Sequence, residues 1–251
     1  MVDFKRERKL SVVKTSYVTP HVKRITFFCK DFLDFSNNEK GGYLKLLFSK
    51  GELNDKNLVR PYTIRNFRKQ KLEIDIDFII HDSSHGVASK WASKADKGDE
   101  IFVTGPGTKP IIKNADWIFF IGDMSSLPAI SANLEEIEQN TKGIIVIEII
   151  SKKDKIKIKK PKNFTLHWIV NEEKDQNQEL YKQILTIEWL AGKPFIWAAC
   201  EFSAMKKLRN YFQNIKKIEK EYIYISSYWK KGSDQEQHKI IKKKDNQIWK
   251  A

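Results

Sequence analysis

The segment "NLVRPYTIRNF", Asn57 to Phe67, places Arg60, Tyr62, Thr63 and Arg65 close together in one strand-like stretch. On a strand, Arg60 and Tyr62 share a face and Thr63 points the other way, unless Pro61 redirects them. These residue types suit a flat, anionic group. A flavin dinucleotide, for example, needs a cation for its pyrophosphate, an aromatic face for its ring and a small donor near its reactive edge. Taken alone, the segment reads at least as well as an edge strand with a core tyrosine and surface arginines.

A second segment, "DFIIHDSSHGVASKWA", runs from Asp77, Phe78, Ile79 and His81 to Gly86, Val87, Ala88 and Ser89. Gly-x-Ala-Ser at a helix start offers backbone N–H groups, a hydroxyl and little bulk, which a phosphate at a helix N-terminus requires. Alone it is an ordinary glycine turn; one strand after Arg60–Arg65 it reads as the other half of the same site. His81 and His85 make a weak metal pair without a third ligand. Asp75 and Asp77 lie on one strand face, read here as the polar face of a barrel. Cys29 and Cys200 are far apart and give neither a disulfide framework nor metal spacing. Cys200 is expected to be a small buried side chain at a strand end.

These residues need elements to position them. Six short strands are predicted before residue 110: "KLSVVKTSYV", "VKRITFFC", "GYLKLLF", "RPYTIRNF", "KLEIDIDFIIH" and "DEIFVTG". In the fifth, Leu72, Ile74, Ile76, Phe78 and Ile80 alternate with Glu73, Asp75 and Asp77, so the apolar set faces a core and the acids face away. Such strands predict an antiparallel barrel interrupted by one helix, "GVASKWASKA". After "GPGTKP" continuous apolar strands ("DWIFFIG", "GIIVIEII", "NFTLHWIV", "PFIWAAC", "EYIYISSYW") alternate with helices, a parallel α/β pattern. The helices are predicted at "SSLPAISANLEEIEQN", "NQELYKQILTIEWL" and "SAMKKLRNYFQNI". The expected domains are 1–112, the barrel; 113–232, the α/β unit; and 233–251, a polar tail or helix.

The 251 residues carry a net charge of +14, from 46 basic and 32 acidic side chains. That balance favours anionic partners, and equally reflects heavy lysine use throughout. The charge is spread rather than gathered on a nucleic-acid motif, so no nucleic-acid partner is expected. The lysine-rich "SKKDKIKIKKPK" reads as a solvated loop. Apolar runs are strand length, too short to span a membrane, and "MVDFKRERKL" lacks a signal-peptide core. The expectation is a reduced, cytoplasmic protein.

The ordered series Arg-x-Tyr-Thr-x-Arg, Asp-Phe-x-x-His, Gly-x-Ala-Ser-x-Trp-Ala, Gly-Asp and Gly-Pro resembles the siderophore-interacting proteins, FAD-dependent ferric-siderophore reductases related to ferredoxin–NADP reductases. In the second half "IGDMSSLPAISANLEEI", "IWAACE" and "SSYWKKG" resemble that family's segments, so the likeness runs from Lys9 to Gly232. Met124–Ser125 and Cys200 depart from its usual Glu-Thr and glycine. The resemblance implies a barrel that binds FAD and an NAD(P)H-binding-like domain. It implies that Arg60, Tyr62 and Thr63 hold the flavin, with Tyr62 against the ring. Asp77, Phe78, Ile79 and His81 would follow the FAD, Gly86, Val87, Ala88 and Ser89 would receive its pyrophosphate, and Trp229 would lie by the flavin at the domain interface. Arg65 matches the pattern without an assigned contact.

The implied reaction is reduction of an Fe(III)-siderophore to Fe(II), with FAD passing single electrons to the chelate and no catalytic side chain. The electron donor would be NADH, NADPH or reduced ferredoxin. Lys45, Lys230 and Lys231 are candidates to attract an anionic ferric siderophore, though each alone reads as a surface lysine. A monomer is expected. The alternatives are a flavoprotein exchanging electrons with an acidic protein such as ferredoxin or flavodoxin, and a non-enzymatic siderophore binder.

Overall fold

The computed structural model describes residues 6–48, 58–81, 86–172 and 179–250. Asn57, the loop 82–85 with His85, and the first residues of the helix expected from Asn177 lie outside them. By its internal contacts the chain divides into two compact units. One comprises Met1–Lys109, Pro128–Asn133 and Ile156–Ile158; the other comprises Pro110–Leu127, Leu134–Lys155 and Lys159–Ala251.

The first unit holds β1 (Arg8–Thr19), β2 (Val22–Phe28), β3 (Tyr43–Phe48), β4 (Leu58–Thr63), β5 (Asn66–Arg68), β6 (Glu73–Ile79), α1 (Val87–Lys94) and β7 (Glu100–Gly107). They form a seven-stranded antiparallel sheet in the order β4-β3-β7-β1-β2-β6-β5, barrel-like but not closed. Six strands were expected. The additional one arises because "RPYTIRNF" splits at Ile64 and Arg65. Ile64 donates its N–H to the Gly42 carbonyl (2.8 Å), on the β3 side, whereas Arg65 donates to the Asp75 carbonyl of β6 (2.8 Å). One chain segment therefore serves both edges of the sheet. Leu10, Ile25, Phe27, Leu44, Leu46, Ile74, Ile76 and Phe78 fill its core.

The acidic face of β6 also departs from expectation. Alternation assigns the faces correctly, yet Asp75 and Asp77 are buried. Register places Arg24 and Thr26 of β2 opposite them. Arg24 grips Asp77 with two bonds (2.6 and 2.8 Å). Arg68 grips Asp75 with two more (2.7 Å each), and Thr26 adds a third (2.8 Å). Burial pushes the Asp75 carboxyl up, but the Arg68 and Thr26 bonds outweigh it and hold it below the usual carboxylate range.

The second unit holds β8 (Trp117–Asp123), β9 (Gly143–Ile149), β10 (Phe164–Val170), α3 (Glu179–Thr186), β11 (Pro194–Glu201), α4 (Phe202–Asn210), β12 (Ile223–Trp229) and α5 (Gln235–Lys250); α2 (Leu127–Leu134) precedes β9. Its five strands are all parallel, in the order β10-β9-β8-β11-β12. The chain begins in the middle, grows to one side and then reverses, so β8 and β11 flank a topological switch point. Two helices are shorter than the sequence pattern. α2 ends at Leu134. α3 ends at Thr186 because Trp189 turns inward, meeting Trp117 edge-on at 5.5 Å.

The C-terminal helix α5 docks on β12 through polar side chains. The Ser227 hydroxyl and His238 Nε2 share a 2.8 Å bond, and Lys242 donates to Ser226 Oγ and the Ser227 carbonyl (both 2.7 Å). Further along, Arg209 of α4 holds Asp245 by two 2.7 Å bonds. Burial, helped by Lys242 and Lys230 and opposed by Glu201, lowers His238 from 6.5 to about 4. The unfolded chain then binds the extra proton first, so stability falls as pH drops from 6.5 towards about 4. The full effect is about 3 kcal/mol. Urea unfolding should lose midpoint more steeply over that window in the parent chain than in His238→Gln; parallel slopes would show that His238 is not the group responsible.

Candidate functional site

In the first unit the site residues gather around β6 and α1. Tyr62 is half-buried and rests on Phe78, ring centroids 4.5 Å apart. Phe78 also contacts Trp91 of α1 at 6.0 Å, so one buried ring supports both parts. Burial pushes the Tyr62 phenol well above its usual range against the opposing pull of Arg60, so it stays neutral. Arg60 shares the Tyr62 face by alternation and donates to its neighbour's carbonyl, Val59 O, at 2.9 Å.

Register separates two expected residues, Lys45 and Thr63, from this face. Lys45 pairs with Pro61, whereas Leu46 pairs with Arg60 and Leu44 with Tyr62. Lys45 therefore lies on the exposed face with Pro61 and Thr63, opposite Arg60 and Tyr62.

Helix α1 starts after Gly86, which has no side chain to cap it, and no side-chain cap comes from among the described residues. Its first internal bond is Lys90 N–H to the Gly86 carbonyl (2.8 Å), so the N–H groups of Val87, Ala88 and Ser89 precede the ladder. The Ser89 hydroxyl, buried, accepts from His81 N–H (2.9 Å) and donates to His81 C=O (3.1 Å). That hydroxyl thus clamps the helix to the end of β6. At the other end Lys23, also buried, donates to the Ser93 and Ala95 carbonyls (3.2 and 3.0 Å), capping the last turn. Lys23 escaped sequence reading because β2 gives no local signal for a helix cap. Asp77 spends its carboxylate on Arg24, leaving Ile79 and the His81 ring as half-buried parts of the strand end.

This donor set fits FAD: a braced neutral aromatic face, a cation on the same face and a helix start whose first-turn N–H groups precede the helical ladder. Each is fixed by neighbours before any ligand is present.

In the second unit polar residues gather at the carboxyl ends of the parallel strands. Asp123, buried, ends β8. Its Oδ2 accepts Trp229 Nε1–H (2.8 Å) and Glu201 N–H (3.0 Å), and its Oδ1 accepts Ser125 N–H (2.9 Å). One carboxylate thus joins β8, β11 and β12. Burial pushes its pKa up, partly offset by these donors. Glu201 caps α4, accepting Ala204 N–H (3.2 Å) on Oε2 and Lys231 N–H (3.2 Å) on Oε1. Glu148, half-buried beside Asp123 in register, is raised by burial and by Asp123 to about 7.

Cys200 is buried, and burial with the nearby carboxylates pushes its thiol far up, so it is an inert packing group. Trp229 is 40% exposed. Lys230 places its ammonium 5.8 Å from the Phe202 ring. Lys231 is exposed. In the sequence Asp123 and Glu201 stand out only as motif members; their joint hold on three strands depends on contacts remote along the chain. Among the described residues no group of metal-binding side chains occurs, and no helix is long and apolar enough to cross a membrane.

Comparisons with known proteins agree with this architecture. Residues 49–110 match the siderophore-interacting FAD-binding domain, and residues 115–232 match the siderophore-interacting protein domain. The chain is 31% identical to the ferric vibriobactin reductase ViuB of Vibrio cholerae, covering 91% of each chain. It is 23% identical to the NADPH-dependent ferric-chelate reductase of Escherichia coli, covering 89% of this chain and 93% of that protein. The crystal structure of the siderophore-interacting protein SipS from Aeromonas hydrophila superposes with a TM-score of 0.87 at 25% identity, covering 99% of this chain and all of that one. On these matches the chain belongs to the siderophore-interacting protein family.

Proposed function

We propose that this chain is a flavin-dependent oxidoreductase that reduces Fe(III)-siderophore to Fe(II) in the cytoplasm, with FAD as its cofactor and a nicotinamide nucleotide as the donor. The observation that carries the reading is the Tyr62–Phe78–Trp91 support, which joins a neutral aromatic face to a helix start held by Ser89. Bound FAD supplies a carrier that takes electrons in pairs and gives them up singly. Arg60 and Tyr62 would hold its ring and phosphate ends, the Val87, Ala88 and Ser89 N–H groups would take the pyrophosphate, and Thr63, which ends β4 on the face opposite Tyr62, would meet the ring edge only from the end of the strand. Trp229, oriented by Asp123, stands at the donor crevice. The domain division at 112/113 follows from that division of labour.

The iron chelate is substrate. Each electron converts one Fe(III) to Fe(II), so one hydride equivalent serves two chelates. The softer ion is held less tightly by oxygen ligands, and iron leaves. Lys230 and Lys231 attract the anionic chelate; Lys45, on the opposite face of its ladder from Tyr62, contributes less.

Purified protein should be yellow, and anaerobically reduced protein should be reoxidised by a ferric catecholate or hydroxamate. A chain that takes up no added FAD would defeat the reading. Val87→Pro removes one first-turn N–H while keeping a residue that suits that position. It should weaken FAD binding by about tenfold, the loss of one hydrogen bond to a charged group, with little change in melting temperature. Unchanged FAD affinity would remove the helix start from the site. Neutralising Lys230 and Lys231 together should weaken ferric-siderophore binding by roughly threefold to tenfold at low ionic strength and flatten its salt dependence. An unaltered salt slope would reject their part.

A further inference from the structure

We propose that the outer face of α5 is a docking surface for an anionic lipid bilayer, on which Ile240 and Ile248 enter the interface and Lys239, Lys243 and Lys244 meet the headgroups. This goes beyond the reductase reading and does not depend on the flavin. A helix that covers a sheet ordinarily buries an apolar stripe and shows its charges to water. Much of the inward side of α5 is polar instead. His238 is bonded to Ser227, Lys242 reaches Ser226 and the Ser227 carbonyl, Asp245 is held by Arg209, and the Trp249 indole donates to Gln213 (2.7 Å). Of the three isoleucines, Ile241 packs against the core, whereas Ile240 is 59% and Ile248 78% exposed.

The outward residues form one face. By helix geometry Ile240 and Ile248 lie about 80° apart around the axis and about 12 Å apart along it, with Lys244 between them. Lys239 and Lys243 flank Ile240 on the side away from Ile248, and all three lysines are exposed. None of the three forms an ion pair among the described residues. Of the helix's two carboxylates, Asp245 is turned inward to Arg209, and Glu236 lies in the first turn, at the far end from Ile248. The face therefore combines apolar side chains with a local excess of positive charge. A protein partner would need a central anchor pocket and roughly 800 Å² on each side, and two isoleucines two turns apart on a convex helix supply neither. A second copy of the chain, packed face to face, would set these lysines against their own equivalents. A bilayer suits the face better. It is laterally continuous, so both isoleucines reach the acyl boundary together, while the lysine stems extend along it and keep their ammonium groups among anionic headgroups.

The test is flotation of the full chain with vesicles of equal parts phosphatidylglycerol and phosphatidylcholine, set against vesicles of phosphatidylcholine alone. The anionic vesicles should bind at least about tenfold more tightly at low ionic strength, and added salt should weaken that binding. The variant Ile240→Gln, Ile248→Gln should bind them about tenfold more weakly, because the apolar surface that leaves water is gone. The variant Lys239→Gln, Lys243→Gln, Lys244→Gln should lose at least as much and most of the salt dependence. All five side chains are exposed and glutamine suits a helix, so both variants should keep the parent's melting temperature. The control Lys155→Gln, Lys157→Gln, Lys159→Gln removes equal charge from another exposed row and should stay within about threefold of the parent. A parent chain that ignores anionic vesicles or binds neutral ones equally would overturn the inference. So would an isoleucine variant that binds like the parent, or a control that loses as much as the helix variants. Sedimentation velocity covers the rival occupant: a dimer of the parent that Ile240→Gln, Ile248→Gln abolishes would assign the face to a second copy instead. The absorbance spectrum judges the flavin separately, so vesicle binding by a colourless chain defeats only the flavin reading, and a yellow chain that ignores vesicles defeats only the docking surface.

Discussion

A carboxylate taken out of water costs several kcal/mol unless donors replace the solvent. Both units are organised around that constraint. In the first, Asp75 and Asp77 lie within the covered face of β6, and its two neighbours, β2 and β5, must deliver Arg24, Thr26 and Arg68 to them. In the second, Asp123 and Glu201 are buried where strands end, and backbone N–H groups together with the Trp229 indole must converge on them. Removing a donor would leave a buried charge, so strand register at each place is tied to electrostatics as well as to packing.

This arrangement explains why the two candidate sites are rigid by different means. Around Tyr62 rigidity is aromatic and helical: Phe78 is shared by Tyr62 and Trp91, and α1 is held by side chains at both ends. At the parallel strand ends it is ionic, because one Asp123 carboxylate ties three strands at once. The raised pKa directions of Asp123 and Glu148 are the cost of gathering acids in one crevice.

The architecture was largely legible in the sequence. Period-two alternation marked β6, continuous apolar runs marked β8, β9 and β11, and the Gly-x-Ala-Ser signal marked the start of α1. What failed to show were facts set by partners distant along the chain. "RPYTIRNF" looks like one strand, and only the Gly42 and Asp75 carbonyls divide it. The acids of β6 look solvent-facing until Arg24 and Arg68 arrive from other strands. Lys45 is one of three candidate lysines in the sequence, and only the ladder register assigns it to the face opposite Tyr62. Ser89 matched a phosphate-binding pattern, yet its hydroxyl is engaged by His81. A motif records residue types at a spacing; it does not record which atoms are already spoken for.

The Ser89 clamp has a consequence for how this molecule would be dissected genetically. The donors at the start of α1 belong to the main chain, which alanine scanning leaves intact at every position. Ser89 would stand out in such a scan, because losing its hydroxyl frees the helix from the end of β6. Its phenotype would imitate that of a ligand contact while arising from scaffold. The region most intimate with an anion would look silent, and its support would look essential.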